Sequence, residues 1–359
     1  MSAYAIYRLP HADHATLIQQ TEGEPAEYLS CKELNGKHGF VVAPFQVTAQ
    51  QPILLIRPDR VETMKLSRSE ECGVQSEKCL SAEYNLTPHS SLHTPQEYAI
   101  DFANFHAQLE VGLFRKIVLA RCANETSEEP IAPMELFRRA CMLYPRMFIS
   151  LVSTPKSGVW LTATPEILLE GKGCDWRTIA LAGTMKLTGD QLGGEGETTT
   201  WPTKDIQEQR IVTTYIAECL EQFTGDFRED GPRTVRAANL VHLRSDFTFT
   251  LPDSQHLGDL LHALHPTPAV CGLPKRETFN FIIQNEHSPR RYYSGFMGML
   301  DPEGDTRLYV SLRCMNIEGN QYHLYAGGGL LKDSTEEQEW QETEAKLETM
   351  RQCIAIKKK

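Results

Sequence analysis

The chain lacks the long apolar run that a membrane span needs: nowhere in its 359 residues do about 18 apolar residues follow one another. It also lacks a C-x-x-C pair. Its ten cysteines (Cys31, Cys72, Cys79, Cys122, Cys141, Cys174, Cys219, Cys271, Cys314 and Cys353) are spread evenly, as reduced thiols are, and do not frame a disulfide scaffold. Positive charge is scarce. Thirty-six Lys and Arg stand against 47 Asp and Glu, giving a net charge of -11, and this balance excludes nucleic acid as a partner. An anionic substrate is still allowed if cations gather around it locally. The opening M-S-A-Y-A-I-Y-R-L-P-H has neither the basic nor the apolar stretch of a secretion signal, so a cytoplasmic location is expected. Hydrophobic residues at 41% and charged ones at 23% describe an ordinary folded chain, either about two domains or one large enzyme domain.

The most informative stretch is Y-A-G-G-G-L-L-K-D-S-T-E-E-Q-E-W-Q-E-T-E-A-K-L, residues 325 to 347. Gly327, Gly328 and Gly329 carry no Cβ, so a backbone there can approach a ligand closely and aim its N–H groups at an anion. Ser334 and Glu337 have the spacing of a capping box, which predicts a helix running toward Ile354. On that helix Glu339, Glu342 and Lys346 share one face, while Trp340, Leu347, Met350 and Ile354 form an apolar stripe. The charged face reads either as a solvated surface or as part of a site.

Earlier in the chain, A-I-Y-R-L, H-G-F-V-V-A-P-F and I-L-L-I predict strands, and residues 61 to 93 read as a polar surface excursion. Thr94, Pro95 and Glu97 predict a capped helix over 95 to 110, with Tyr98, Phe102, Phe105 and Leu109 on its buried side. F-R-K-I-V-L-A-R-C then predicts a strand buried on both faces, with Lys116, Val118 and Ala120 pointing one way. Burial pulls an ammonium toward the free amine that a general base requires, unless the lysine snorkels to solvent. In the predicted strand V-W-L-T-A-T-P-E-I-L-L-E-G, Glu166 shares a face with Leu168, and apolar company suits a general acid. T-I-A-L-A-G-T ends at Gly183 and Thr184, small residues fit to meet a ligand, and 188 to 200 reads as loop or lid. Thr203 is expected to cap a helix carrying Asp205 and Glu208, a second carboxylate pair. Two such pairs suit Mg²⁺, although acidic residues in a first helical turn also simply suit the dipole. His242, Arg244 and Asp246 fall on one strand face, and His265-Pro266 ends a helix before a rigid proline loop. Arg313 reads as a mid-strand guanidinium that needs either a substrate carboxylate or a protein one.

In order along residues 94 to 350, the motifs K-I-V-L-A-R, T-P-E-I-L-L, L-A-G-T, K-D-I-Q-E-Q, L-H-P-T-P-A-V-C-G-L-P, S-L-R, Y-A-G-G-G and E-W-Q-E-T-E-A-K-L resemble the chorismate-utilising enzymes. The likeness is strongest to their isochorismate synthase branch, whose relatives include anthranilate synthase component I, aminodeoxychorismate synthase and salicylate synthase. It implies an α+β fold, two-lobed, with large mainly antiparallel sheets flanked by helices. One chorismate-binding domain would span 1 to 359, divergent over 1 to 93 and motif-bearing over 94 to 354. The implied reaction is Mg²⁺-dependent, reversible conversion of chorismate to isochorismate for menaquinone or siderophore biosynthesis. The resemblance gives Lys116 the base's role and Glu166 the acid's, with Glu208 and Glu342 as Mg²⁺ ligands supported by Asp205 and Glu339. It puts Gly183, Thr184, His265, Ala269, Arg313, Tyr325, Gly327, Gly328 and Lys346 around the substrate. Lys116 stands where ammonia-using relatives lack a lysine, and Ala269 where pyruvate-eliminating relatives tend to carry threonine. A lyase-type enzyme such as salicylate synthase and a catalytically silent relative are the alternatives. A monomer or weak dimer is expected. Two positions depart from the family pattern: Cys271 replaces the first glycine of P-A-V-G-G, and M-K-L-T-G-D follows L-A-G-T.

Overall fold

Alternation along the strands decides the architecture. Phe40 and Val42 turn toward one buried layer while Val41 and Ala43 turn toward another, and Ile179 and Leu181 divide in the same way from Ala180 and Ala182. A strand buried on both faces belongs inside a stack of layers. The computed structural model describes residues 3–66, 94–186, 200–237 and 240–355. Among these, eighteen strands form two nine-stranded sheets in which every pairing of neighbours is antiparallel.

In spatial order the first sheet holds β14 (Gly272–Leu273), β7 (Lys116–Thr126), β18 (Gln321–Leu330), β17 (Cys314–Glu318), β9 (Gly158–Thr164), β8 (Phe148–Thr154), β1 (Ala3–Arg8), β2 (His14–Gln20) and β6 (Arg60–Lys65). The second holds β12 (Phe227–Ala237), β13 (Leu240–Thr250), β11 (Asp175–Lys186), β10 (Ile167–Lys172), β16 (Thr306–Val310), β15 (Phe296–Leu300), β4 (Gly39–Ala43), β5 (Ile53–Ile56) and β3 (Ala26–Tyr28). A shared core lies between them, with Ala5, Trp160 and Cys314 from the first sheet meeting Phe40, Ile179 and Tyr309 from the second. Helices α2 (Pro133–Leu143) and α6 (Glu336–Ile354) cover the outer face of the first sheet through Phe137, Leu347 and Met350. Helices α3 (Thr203–Leu220) and α4 (Leu257–Leu264) cover the second through Val212, Ile216 and Leu261. Helices α1 (Pro95–Glu110) and α5 (Lys275–Asn285) pack beside β7 through Phe105 and Ile282. This is the expected α+β class. No helix among the described residues is long and apolar enough to cross a membrane.

Several local expectations change. The α1 capping box forms as predicted, with Thr94 accepting from the Glu97 N–H. The one predicted at Ser334 does not: Thr335 precedes α6 without a side-chain cap, and the Ser334 hydroxyl instead donates to Glu339 Oε1 at 2.7 Å. Nor does Thr203 cap α3, because it is already the first helical residue and Pro202 precedes it. Residues 61 to 65, expected in the polar excursion, belong to edge strand β6 (Arg60–Lys65). Residues 67 to 93 of that excursion, residues 188 to 199 of the loop or lid stretch 188 to 200, and residues 187 to 190 of M-K-L-T-G-D lie outside the described residues. T-P-E-I-L-L is two strands, not one. β9 ends at Thr164 in the first sheet and β10 begins at Ile167 in the second, so Glu166 sits in the crossing rather than beside Leu168 on a strand. S-L-R is the reverse crossing, from β16 to β17, and Arg313 has the left-handed φ of +45° rather than a mid-strand conformation.

A Thr94→Ala variant is expected to lose about 1 kcal/mol of stability in urea unfolding. Phe247→Ala, which empties a fully buried position in the core between the second sheet and its helices, is expected to lose about 3–5 kcal/mol.

Candidate active site

The two crossings lie side by side. The Val310 N–H donates to Glu166 O at 3.0 Å, and the Ala163 N–H to Arg313 O at 3.2 Å. A strand that switches sheets leaves a gap in the layer it departs, and a cavity opens at this point. Its wall includes Glu166 and Arg313 from the crossings, Gly183 and Thr184 from β11, Glu208 from α3, Gly327 and Gly329 from β18, and Lys346 from α6. Ala269, Val270, His242 and Tyr293 also line it.

The three glycines are part of a strand and not of a loop, with Gly327, Gly328 and Gly329 opposite Ala120, Leu119 and Val118 of β7. Val118 and Ala120 send their own N–H groups away from β18, to Cys271 O at 2.7 Å and Glu286 Oε1 at 2.7 Å. Gly327 and Gly329 therefore sit in the non-hydrogen-bonded pairs, and their backbone groups face away from β7, past the end of β17, into the cavity. Lys346 Nζ donates to the Gly327 carbonyl at 2.9 Å. Side chains are excluded here as well. A Cβ on Gly328 would stand 2.8 Å from Glu339 Oε2, and one on Gly329 would overlap Glu208 Oε1 and stand 2.8 Å from Lys116 Cε.

Each carboxylate beside this bare strand has a lysine. Lys116 lies 2.8 Å from Glu208 in an ion pair that is not well aimed as a hydrogen bond, Lys346 donates to Glu342 at 2.6 Å, and Lys204 pairs with Glu339. Burial pushes Glu339 up to about 7, with the Glu342 charge adding to it against Lys204. Asp205 is pushed up to about 6 by burial, then by Glu208 and Glu342. Burial acts most strongly on Glu208, but Lys116, Lys204 and Lys346 together outweigh it and hold this carboxyl below the usual range. These shifts show that Asp205 and Glu208 of α3 share one electrostatic field with Glu339 and Glu342 of α6. Lys116 itself is fully buried behind Glu208 and Gly329.

On the crossings, burial raises Glu166 to about 8 against the pull of Lys116 and Lys346, so its carboxyl carries a proton near neutrality. Arg313 donates to Ala237 O at 3.1 Å and to His242 Nε2 at 2.6 Å, and among the described residues no carboxylate pairs with it. His242 Nδ1 lies 3.0 Å from Gly183 O. A ring that donates from Nδ1 and accepts at Nε2 is neutral, in keeping with a pKa held well below normal by burial and by Arg313. The guanidinium is thus oriented without being neutralised, and its charge is left for an anion.

Of the residues expected around the substrate, Gly328, Tyr325 and His265 lie outside the wall, and so do Lys116, Asp205, Glu339 and Glu342 of the expected base and metal set. Gly328 faces Glu339. Tyr325 stacks behind Tyr293, ring centroids 5.7 Å apart, and His265 packs edge-on against Phe296 at 5.0 Å. His242 and Tyr293 occupy the wall instead. The sequence placed His242 on a strand face with Arg244 and Asp246 but gave no sign of its pairing with Arg313, 71 positions away, and Tyr293 belongs to no motif. The departure at Cys271 does not touch the cavity, because its thiol lies near Thr278 in the α1–α5 core.

The family model for chorismate binding enzymes matches residues 35–355. The chain belongs to the chorismate binding enzyme family. Isochorismate synthase DhbC of Bacillus subtilis (strain 168) is 28% identical over 360 residues, 97% of this chain and 89% of that protein. The crystal structure of DhbC from Bacillus anthracis superposes with a TM-score of 0.82 at 23% identity, covering 98% and 96% of the two chains. MenF of Escherichia coli, a menaquinone-specific isochorismate synthase, gives 0.79 at 22% identity, covering 99% and 89%. These two structures share the fold, and the membership in chorismate binding enzymes rests on the sequence match.

Because Glu166 keeps its proton in the folded chain between its ordinary 4.5 and about 8 while the unfolded chain has lost it, its contribution to stability falls as pH rises through that window. Compared with wild type, Glu166→Gln should gain stability from about pH 5 to about pH 8 and then level off in urea unfolding. A pH-independent difference would contradict the assignment.

Proposed function

We propose that the chain is an isochorismate synthase, acting on chorismate with Mg²⁺. The observation that carries this reading is the joint presence, on one cavity, of a protonated buried Glu166, an arginine with no carboxylate of its own, and a lysine behind a carboxylate cluster. The relatives bearing the name isochorismate synthase agree with it.

Among the described residues, no three acidic, His or Cys side chains converge as a ready-made metal cage. The donor set nevertheless fits a hard cation. It is all carboxylate, its members raise one another's pKa, and Glu339 Oε2 is buried with no hydrogen-bond partner. Glu208 and Glu342 would hold Mg²⁺, with Asp205 and Glu339 behind them. When bound, the ion supplies positive charge between this cluster and the anionic groups of the substrate.

The remaining roles belong to side chains and backbone. Arg313, Lys346 and the Gly327 and Gly329 amides hold the two carboxylates of chorismate. The Lys116 amine removes a proton from a water whose oxygen bonds to C2 of the ring, and the ring double bonds shift as the C4–O bond breaks. Glu166 gives its proton to the departing hydroxyl, so one water enters and one leaves. For Lys116 to reach the water as the free amine, its ion pair with Glu208 has to open and the ammonium has to release a proton to solvent, since Glu208 and Gly329 stand between it and the cavity. Ala269 on the wall leaves no hydroxyl where the pyruvate-eliminating members tend to carry threonine, which favours stopping at isochorismate.

Incubation with chorismate and Mg²⁺ should yield isochorismate by HPLC, and EDTA should abolish it. A salicylate or anthranilate peak would replace this reading with a lyase or an amination. Lys116→Ala and Glu166→Ala are each expected to lower kcat at least about 100-fold, and full activity in both would remove the assigned roles.

A further inference from the structure

The carboxylates of α3 do not project freely from their helix, because their neighbour Gln209 is fastened to β11. β10 runs beside β11 only over Asp175–Arg177, so farther along Ala180 O and the Ala182 N–H have no partner strand on that edge. The Gln209 side-chain amide takes both. Its Oε1 accepts from the Ala182 N–H at 2.9 Å, and its Nε2 donates to Ala180 O at 3.2 Å and lies 3.3 Å from Ser245 Oγ. Gln209 is almost fully buried, at 1% exposure.

The next two amides of β11 go to the next two functional side chains. Register shifts at Gly183, where φ is +69°. The Gly183 N–H donates to Glu208 Oε2 at 3.2 Å, and the Thr184 N–H bonds to Asp205. Three consecutive backbone donors therefore seat three side chains of one helix face. Of the three seats, Gln209 is the only one filled by an uncharged amide that makes two opposed bonds to the same strand, and such a clamp sets both the rotation and the height of a helix on a sheet edge.

We propose that Gln209 is a positioning residue for Glu208: by standing in for the missing neighbour strand of β11, it fixes where Oε1 of Glu208, the oxygen paired with Lys116, is presented. The inference rests on the reading of Glu208 as a Mg²⁺ ligand. Gln209 touches neither the cation nor the substrate, and its effect passes through Glu208.

The test is calorimetric titration of the full chain with MgCl₂ in the absence of chorismate, for wild type, Gln209→Met and Ser245→Ala. Met keeps the unbranched shape of Gln without its amide, and Ser245→Ala removes a buried hydrogen bond of Gln209 without touching its two bonds to β11. Loss of a residue that orients a metal ligand weakens metal affinity about 10–100-fold, which is expected for Gln209→Met, while Ser245→Ala and the chorismate KM of Gln209→Met at saturating Mg²⁺ stay within about threefold of wild type. Unchanged Mg²⁺ affinity in a folded Gln209→Met protein overturns the proposal, as does equal weakening by Ser245→Ala, which would make the effect merely structural. If Gln209→Met does not fold, hydrogen exchange on wild type decides: Mg²⁺ should slow the Ala182 and Gly183 amides together, and no slowing rejects the clamp. A wild-type chain that binds no Mg²⁺ would instead remove the reading of Glu208 on which the inference rests.

Discussion

Everything at the cavity depends on the mutual repulsion of buried carboxylates around a strand that has no side chains. Taking an ionised carboxylate out of water costs several kcal/mol unless charge or hydrogen bonds replace the lost hydration. The protein meets that cost locally, with one lysine for each of Glu208, Glu339 and Glu342 and with backbone donors for Glu208 and Asp205. Glycine at 328 and 329 is what admits the carboxylates at all, since a Cβ at either position would meet an oxygen. Three lysines stand against four carboxylates, and one buried oxygen, Glu339 Oε2, has no hydrogen-bond partner.

The second constraint is topological. Two sheets packed face to face shield their shared core from water, and a reactive group can reach the interior only where the chain passes between them. Two of these passages, at Pro165-Glu166 and at Ser311–Arg313, lie side by side, and they place a neutral acid and a charged guanidinium on the wall of one cavity. The site is therefore dry enough to hold a proton on Glu166, while His242 orients Arg313 without taking its charge. A carboxylate in the place of His242 would have closed the arginine off from an anionic ligand.

Much of this was legible in the sequence, for identifiable reasons. The α1 capping box is local chemistry over four residues, and it forms as spaced. The carboxylate pairs of α3 and α6 follow from helical periodicity, and the glycine run signals close approach whether the backbone is loop or strand. Other expectations failed where local signals compete. The Ser334 hydroxyl had a nearby backbone donor to cap and a carboxylate to bind, and packing gave it to Glu339. T-P-E-I-L-L and S-L-R looked like continuous strands because apolar periodicity carries no mark of which sheet a residue joins.

By itself, the amino-acid order determined the helices, the strand pattern, the acidic pairs, the lysine and the family, because each of these depends on neighbours within a few positions or on ordered motifs. Only the tertiary structure decided that Glu166 and Arg313 lie on adjacent crossings, that His242 and Tyr293 line the wall in place of His265 and Tyr325, and that Gln209 completes a strand edge. Those outcomes come from contacts between residues tens to more than a hundred positions apart, where sheet register and layer packing choose the partners and local sequence carries no record of the choice.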